Sequence, residues 1–189
     1  MFRRQGARIL RNEAYLLFVR RNDDGYSATQ HPDFLRSRQQ NGEDMAENLA
    51  KEGWEPKIVA VVCNWCTYAG ADLAGISRIQ YPPNVRIIRV PCTGRINPFY
   101  IMKALQEGAD GVLVSGCHPG ECHYLTGNLT ARRKFATLKR FLNYVGVEAN
   151  RTMFTWVSAS EGDRFAQVVK GVTQAVRELG PATKLVKKL

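Results

Sequence analysis

Lys57-Ile-Val-Ala-Val-Val-Cys-Asn-Trp-Cys66 joins five consecutive aliphatic residues to a pair of cysteines. A run so short, mostly β-branched and apolar at every position, reads as a strand buried on both faces, as in a parallel sheet. The pattern then recurs downstream. Apolar runs at Arg86–Val90, Gly111–Ser115 and Thr152–Val157 alternate with helical patterns, the signature of a βαβ series. Expected helices cover Gly70–Ile79, Pro98–Leu105, about Leu129–Tyr144 and about Asp163–Leu179, the last with Phe165, Val168, Val169, Val172 and Val176 at helical spacing. Asn97 is the expected N-cap of the second, with Pro98 at its first position. Tyr81-Pro-Pro, Gly108 and Gly180-Pro181 end segments. About four mostly parallel strands with right-handed crossovers make a small α/β domain, a three-layer flavodoxin-like or Rossmann-like sandwich.

Upstream of this series, residues 1–44 are rich in Arg, Gln, Asn and Asp without a sustained period. They read as a loosely ordered extension, and Met45 opens a second plausible start. The expected division is therefore an extension (1–44), one core-sized domain (45–180) and a basic tail (181–189).

The net charge of +10 is unevenly spread. Residues 1–44 carry +2, residues 45–129 are neutral, and residues 130–189 carry +8, with Arg132-Arg133-Lys134, Lys139-Arg140, Lys184, Lys187 and Lys188 prominent. No nucleic-acid motif accompanies that charge, so solvated helix faces or an acidic protein partner account for it better than nucleic acid. No apolar run is long enough to span a membrane. The odd cysteine count and lack of a secretory signal point to a reducing cytoplasm.

All five cysteines fall in one window: Cys63, Cys66, Cys92, Cys117 and Cys122. Each group directly follows a predicted strand, and parallel α/β sheets collect ligands at the carboxyl ends of their strands. Three chemistries compete. Cys63 and Cys66 alone form a C-x-x-C dithiol suited to thiol–disulfide exchange, which has no use for three further thiols. Zinc takes four ligands, with His118 and His123 enlarging the choice, but a domain with its own core needs no zinc staple. An iron–sulfur cluster fits best, four thiolates holding two irons with one cysteine to spare. Gly70, Gly94, Gly116 and Gly120 would let backbone N–H groups approach sulfide, and Arg95 would add positive charge nearby. The histidines read as neighbours rather than ligands, and Trp65 and Tyr68 as shields against water. Asp110 in Gly-Ala-Asp-Gly reads as a turn residue. Ser158 or Ser160 is expected to cap the last helix, with Glu161 complementing its dipole.

The blocks Cys63-Asn-Trp-Cys66, Gly70-Ala-Asp-Leu-Ala-Gly75, Tyr81-Pro-Pro, Val85 to Val90 with Cys92, Gly108-Ala-Asp-Gly-Val112, Gly116-Cys-His-Pro-Gly-Glu-Cys-His-Tyr124, Gly127-Asn128 and Trp156-Val-Ser-Ala-Ser-Glu-Gly162 resemble the methyl-viologen-reducing hydrogenase delta subunit family. The likeness covers about residues 55–180. It implies a [2Fe-2S] electron-transfer subunit without a substrate site of its own. Its electrons would pass between a hydrogenase, a formate dehydrogenase or another redox module and a heterodisulfide-reductase-type flavoprotein. All five cysteine positions of the family pattern are filled. Departures are mild: Thr93 stands where serine is usual and Asn97 where aspartate is expected. The likeness leaves open which four cysteines bind. Strand-end placement favours Cys63, Cys92 and Cys117, with Cys66 and Cys122 competing for the fourth position.

Overall fold

A computed structural model describes residues 53–186. The proposed extension, Met45 and the tail residues Lys187 and Lys188 lie outside that range. Among the described residues four strands form one sheet: β1 (Ile58–Cys63), β2 (Val85–Val90), β3 (Gly111–Gly116) and β4 (Thr152–Trp156). Their order is β2-β1-β3-β4 and every pairing is parallel. The helices among these residues are α1 (Thr67–Ile76), α2 (Pro98–Gln106), α3 (Gly127–Val145) and α4 (Gly162–Leu179), with short 3-10 turns at Thr93–Arg95 and Ala149–Arg151.

Alternate residues of the central strands feed two cores, as strand geometry requires. Ile58, Ala60, Val62 and Leu113 pack with Val172 and Val176 of α4, and Phe165 and Val169 extend that layer to Ala71 and Ala74 of α1. Val61, Val112 and Val114 face the other way, against Ile101 and Leu105 of α2 and Phe135, Leu138 and Leu142 of α3. The result is a three-layer α/β/α sandwich. Chain connections leave β1 for β2 on one side and β3 for β4 on the other, so the topological switch point lies between β1 and β3 at their carboxyl ends.

Local signals held in part. Asn97 caps α2, its side-chain oxygen accepting from Phe99 N at 3.0 Å. The cap expected of Ser158 or Ser160 does not form: Glu161 is the N-cap of α4 and makes no side-chain cap bond to that helix. Its carboxylate folds back, accepting from Ser158 N at 2.8 Å and meeting His118 Nε2 at 2.7 Å. Helix α1 starts three residues earlier than expected, because the Thr67 N–H finds an acceptor in the Cys63 thiol at 3.4 Å. It stops at Ile76, ahead of Arg78 at φ 56°.

The amino edge of the sheet is closed by polar groups. Asp110, buried rather than merely turning the chain, accepts from Lys57 N and Ala182 N, both at 2.9 Å. Arg151, 2% exposed, donates to the carbonyls of Asp110, Leu179, Gly180 and Pro181 and to the Glu148 carboxylate. Among the described residues no helix is long and apolar enough to cross a membrane.

A candidate metal centre of five thiols

The register of the sheet brings the cysteines together. Cys63 is the last residue of β1 and pairs with Val90 of β2, so Cys92 follows two residues beyond that level. On the other side Val62 pairs with Ser115 of β3, which places Cys117 just past the strand end at the switch point. Cys122 returns on the loop before α3. Cys63, Cys92, Cys117 and Cys122 form one buried cluster, with the less buried Cys66 packed against it.

Within the patch the thiols fall into two groups. Cys63 Sγ lies 3.5 Å from Cys117 Sγ, and Cys66 also interacts with Cys117. Cys92 and Cys122 interact with each other. Among the described residues no three His, Cys, Asp or Glu side chains gather closely enough around one point to hold a single ion.

A helix begins beside each group, and helix amino ends favour negative charge. Cys66 is the N-cap of α1 and Thr67 N donates to Cys63. Helix α3 begins at Gly127, where a Cβ would run into Cys92 Sγ and lie 3.3 Å from Cys122 Sγ. Glycine is therefore required for α3 to start against these sulfurs. Gly94 and Gly116 serve the same crowding, since a Cβ would lie 2.8 Å from Gly127 Cα at the first and 2.7 Å from Thr93 Oγ1 at the second. Asn128, buried, ties down the loop by donating to the carbonyls of Cys117 and His118 at 3.1 and 2.6 Å.

One thiol in each group is poised to ionise. The hydrogen bond with Cys117 draws Cys63 down to about 5; burial opposes this, and the Thr67 N–H assists. Burial also resists ionisation of Cys122, but the backbone N–H groups of Asn128, Tyr124 and Gly127 outweigh it and lower its pKa. Their neighbours are shifted the other way. Cys117 is raised first by Cys63 and then by burial, while burial is the leading cause for Cys66 and Cys92. Thiolates are what soft metals bind.

Other expected contributors lie elsewhere. Gly70 donates its N–H to the Cys66 carbonyl at 2.8 Å, and it lets α1 close on the loop after β4, where a Cβ would lie 2.7 Å from Ser158 O. Gly120 has φ +86° and open space around it, and Arg95 is exposed. Trp65, 45% exposed, stacks on His123 with ring centroids 3.9 Å apart and donates to Tyr124 Oη at 3.4 Å. Tyr68 instead lies under the Arg89 guanidinium. Neither histidine is grouped with the thiols: His118 pairs with Glu161 and His123 with Trp65.

Sequence reasoning missed Thr67, Ser115 and the packing roles of Gly127 and Asn128. A serine inside the apolar run Gly111–Gly116 was the available signal for Ser115.

The donor set fits an iron–sulfur group. Two thiolates on one tetrahedral metal with bonds of about 2.3 Å stand roughly 3.7 Å apart, close to the 3.5 Å between Cys63 and Cys117.

Residues 58–180 match the family model described as methyl-viologen-reducing hydrogenase, delta subunit. The chain is 52% identical over 132 residues to the iron-sulfur subunit of the F420-non-reducing hydrogenase vhc of Methanococcus voltae, covering 70% of this chain and 92% of that one. It is 51% identical over 130 residues to the corresponding iron-sulfur subunit of the F420-non-reducing hydrogenase of Archaeoglobus profundus, covering 69% and 95%. A third relative is much longer. Identity is 47% over 135 residues to one subunit of the ferredoxin/F420H2-dependent CoB-CoM heterodisulfide reductase of Methanosarcina acetivorans, covering 71% of this chain but 17% of that protein.

Proposed function

The chain belongs to the methyl-viologen-reducing hydrogenase delta subunit family, and on that premise we propose that it is an electron-transfer subunit built around one [2Fe-2S] cluster. The observation that carries the proposal is the convergence of all five thiols in one patch at the switch point, as a trio and a pair. Cys63 and Cys117 would hold one iron, and Cys92 and Cys122 the other. Cys66, the least buried of the five, is then the spare thiol. When bound, such a group supplies reversible one-electron chemistry. The protein's part is to present thiolates, aim two helix amino ends at them and keep water away.

The assignment of Cys122 over Cys66 rests on the contact between Cys92 and Cys122. A dithiol reading, by contrast, needs Cys63 to pair with Cys66, whereas Cys63 makes its thiol contact with Cys117. Anaerobic purification followed by iron and sulfide analysis and EPR of the reduced protein tests the cluster. Two irons and two sulfides per chain are expected; their absence from anaerobic material overturns the reading. Zinc in their place would favour a scaffold. Cys66→Ser should keep the cluster, and serine at any of the other four should lose it.

The partners in this proposal are a heterodisulfide-reductase-type flavoprotein on one side and a hydrogenase, formate dehydrogenase or other redox module on the other, in the cytoplasm. Support for the first comes from the Methanosarcina relative, in which a stretch similar to this domain is part of a heterodisulfide reductase chain itself. The unit that acts is residues 45–180. Helix α3, with five cations and no acidic residue, is proposed as its docking face.

A further inference from the structure

Two buried hydroxyls meet between the start of α1 and β3. Thr67 and Ser115 are both 0% exposed. Ser115 sits in β3 between Val114 and Gly116, opposite Val62 of β1. Burying a hydroxyl is unfavourable by about 1–3 kcal/mol unless it is hydrogen-bonded, so the partners of these two are informative. Among the described residues the Ser115 hydroxyl has one partner, Thr67 Oγ1 at 3.2 Å. Thr67 Oγ1 in turn faces Cys63 Sγ at 3.7 Å and the Val157 carbonyl at 3.5 Å.

The direction of these bonds depends on the state of Cys63. As a thiol, Cys63 donates to Thr67 Oγ1. As a metal-bound thiolate it has no proton and can only accept. The Thr67 hydroxyl must then supply the hydrogen if the contact is kept, and Ser115 is placed to donate into the oxygen behind it. Val157 O is the competing acceptor, but 3.5 Å is long for an O–H···O bond, whose usual range is about 2.5–3.0 Å. The backbone N–H of the same residue already donates to the same sulfur at 3.4 Å. Thr67 thus offers Cys63 two donors from one rigid helix start.

We propose that Thr67, backed by Ser115, is a positioning residue that sets the cluster's reduction potential through a hydroxyl hydrogen bond to Cys63 Sγ. This rests on the reading of Cys63 as a cluster ligand. Reduction adds negative charge that spreads onto the ligand sulfurs, and a donor aimed at one of them favours the reduced form. Burial strengthens the effect, because no water competes for the sulfur on that side.

The test is a redox titration of the anaerobically purified full chain, followed by EPR, with iron and sulfide measured on the same samples. Thr67→Val keeps the shape and the backbone N–H but removes the hydroxyl. It should shift the reduction equilibrium about tenfold toward the oxidised form, a midpoint about 59 mV more negative for one electron. Thr67→Ser should restore the wild-type midpoint. Ser115→Ala should move it in the same direction as Thr67→Val by a smaller step, because Thr67 loses the donor behind it. A wild-type midpoint in Thr67→Val at full iron content overturns the inference, as does a loss of thermal stability without a shift in midpoint. Should Thr67→Val purify without iron, Ser115→Ala decides, and an unchanged midpoint there is equally fatal. Absence of iron and sulfide from the wild-type chain would instead overturn the cluster reading itself.

Discussion

The two ends of the sheet handle buried polar atoms in opposite ways. At the amino edge, Arg151 places its guanidinium among four carbonyls and a carboxylate, and Asp110 accepts from two backbone N–H groups. Those donors and acceptors have partners within the fold. At the carboxyl edge, the thiols face one another, and each raises or lowers its neighbour's pKa. Polar atoms satisfied by the fold contribute stability. Soft donors left to each other, with helix amino ends aimed at them, are ready for something the chain itself does not supply.

The strongest attack on this contrast is at Arg151. Arg151→Met leaves the carbonyls of Asp110, Leu179, Gly180 and Pro181 without their donor and should cost about 3–5 kcal/mol, read as a lower urea midpoint of the metal-free chain. Iron uptake at low temperature should persist in whatever remains folded. A cost below about 1 kcal/mol would show that the amino edge is not the stabilising end.

The converse change is Gly127→Ala, at the start of α3. Its Cβ would run into Cys92 Sγ, so the Cys92–Cys122 pair must spread. Overpacking of this kind costs about 1–3 kcal/mol, less than the loss at Arg151, yet most of the iron should be lost. Retention of full iron content would mean that the pair is not a binding unit.

This division also explains what could be read in the sequence. Strand positions, the parallel sheet and the gathering of Cys63, Cys66, Cys92, Cys117 and Cys122 follow from period and order, because a βαβ chain delivers every strand's carboxyl end to one edge. Pairing within the window did not follow, since it depends on register: Cys63 level with Val90, and Cys117 one step past Gly116. The roles of Gly127 and Thr67 were hidden for a related reason. Each acts through a helix start, and the start of α1 is fixed by a thiol that sequence patterns do not treat as an acceptor. The cap expected of Ser158 or Ser160 fails because Glu161 takes the N-cap position, its carboxylate held by Ser158 N and by His118 from a distant loop.

Partner binding by α3 should be separable from the thiol site at which the helix starts. Lys134 is a poor probe, because its ammonium bonds the Gly94 carbonyl at 2.8 Å beside the Cys92 loop. Arg132 lies over the Trp156 ring. Arg133 and Arg140 are exposed, and Arg140 is the cation of α3 furthest from the helix start. Reversing both to Glu should weaken binding to a flavoprotein or to an electron donor by about 1–2 kcal/mol at low salt, with iron content and midpoint unchanged. The gap should close at high salt as screening removes it. Binding and salt dependence like those of the wild type would remove α3 from the docking surface.

The smallest expected effect is at Glu161, which ties the carboxyl edge together without touching a proposed ligand. Burial raises its pKa, but the Ser158 N–H and His118 outweigh that and hold it below the ordinary carboxylate value of 4.5. A carboxylate depressed in the folded state contributes stability that is complete above its unfolded pKa and is lost as pH falls through the folded value. The side chain is 33% exposed, so screening keeps the contribution small. Glu161→Gln in the metal-free chain should therefore lower stability by less than about 1 kcal/mol near neutrality. The difference from wild type should shrink only below about pH 4.5, where the native carboxylate gains its proton. A difference that stays constant through that acid range would mean that Glu161 acts by shape and not by charge, and the loop after β4 would then belong with the packed amino edge rather than with the thiols.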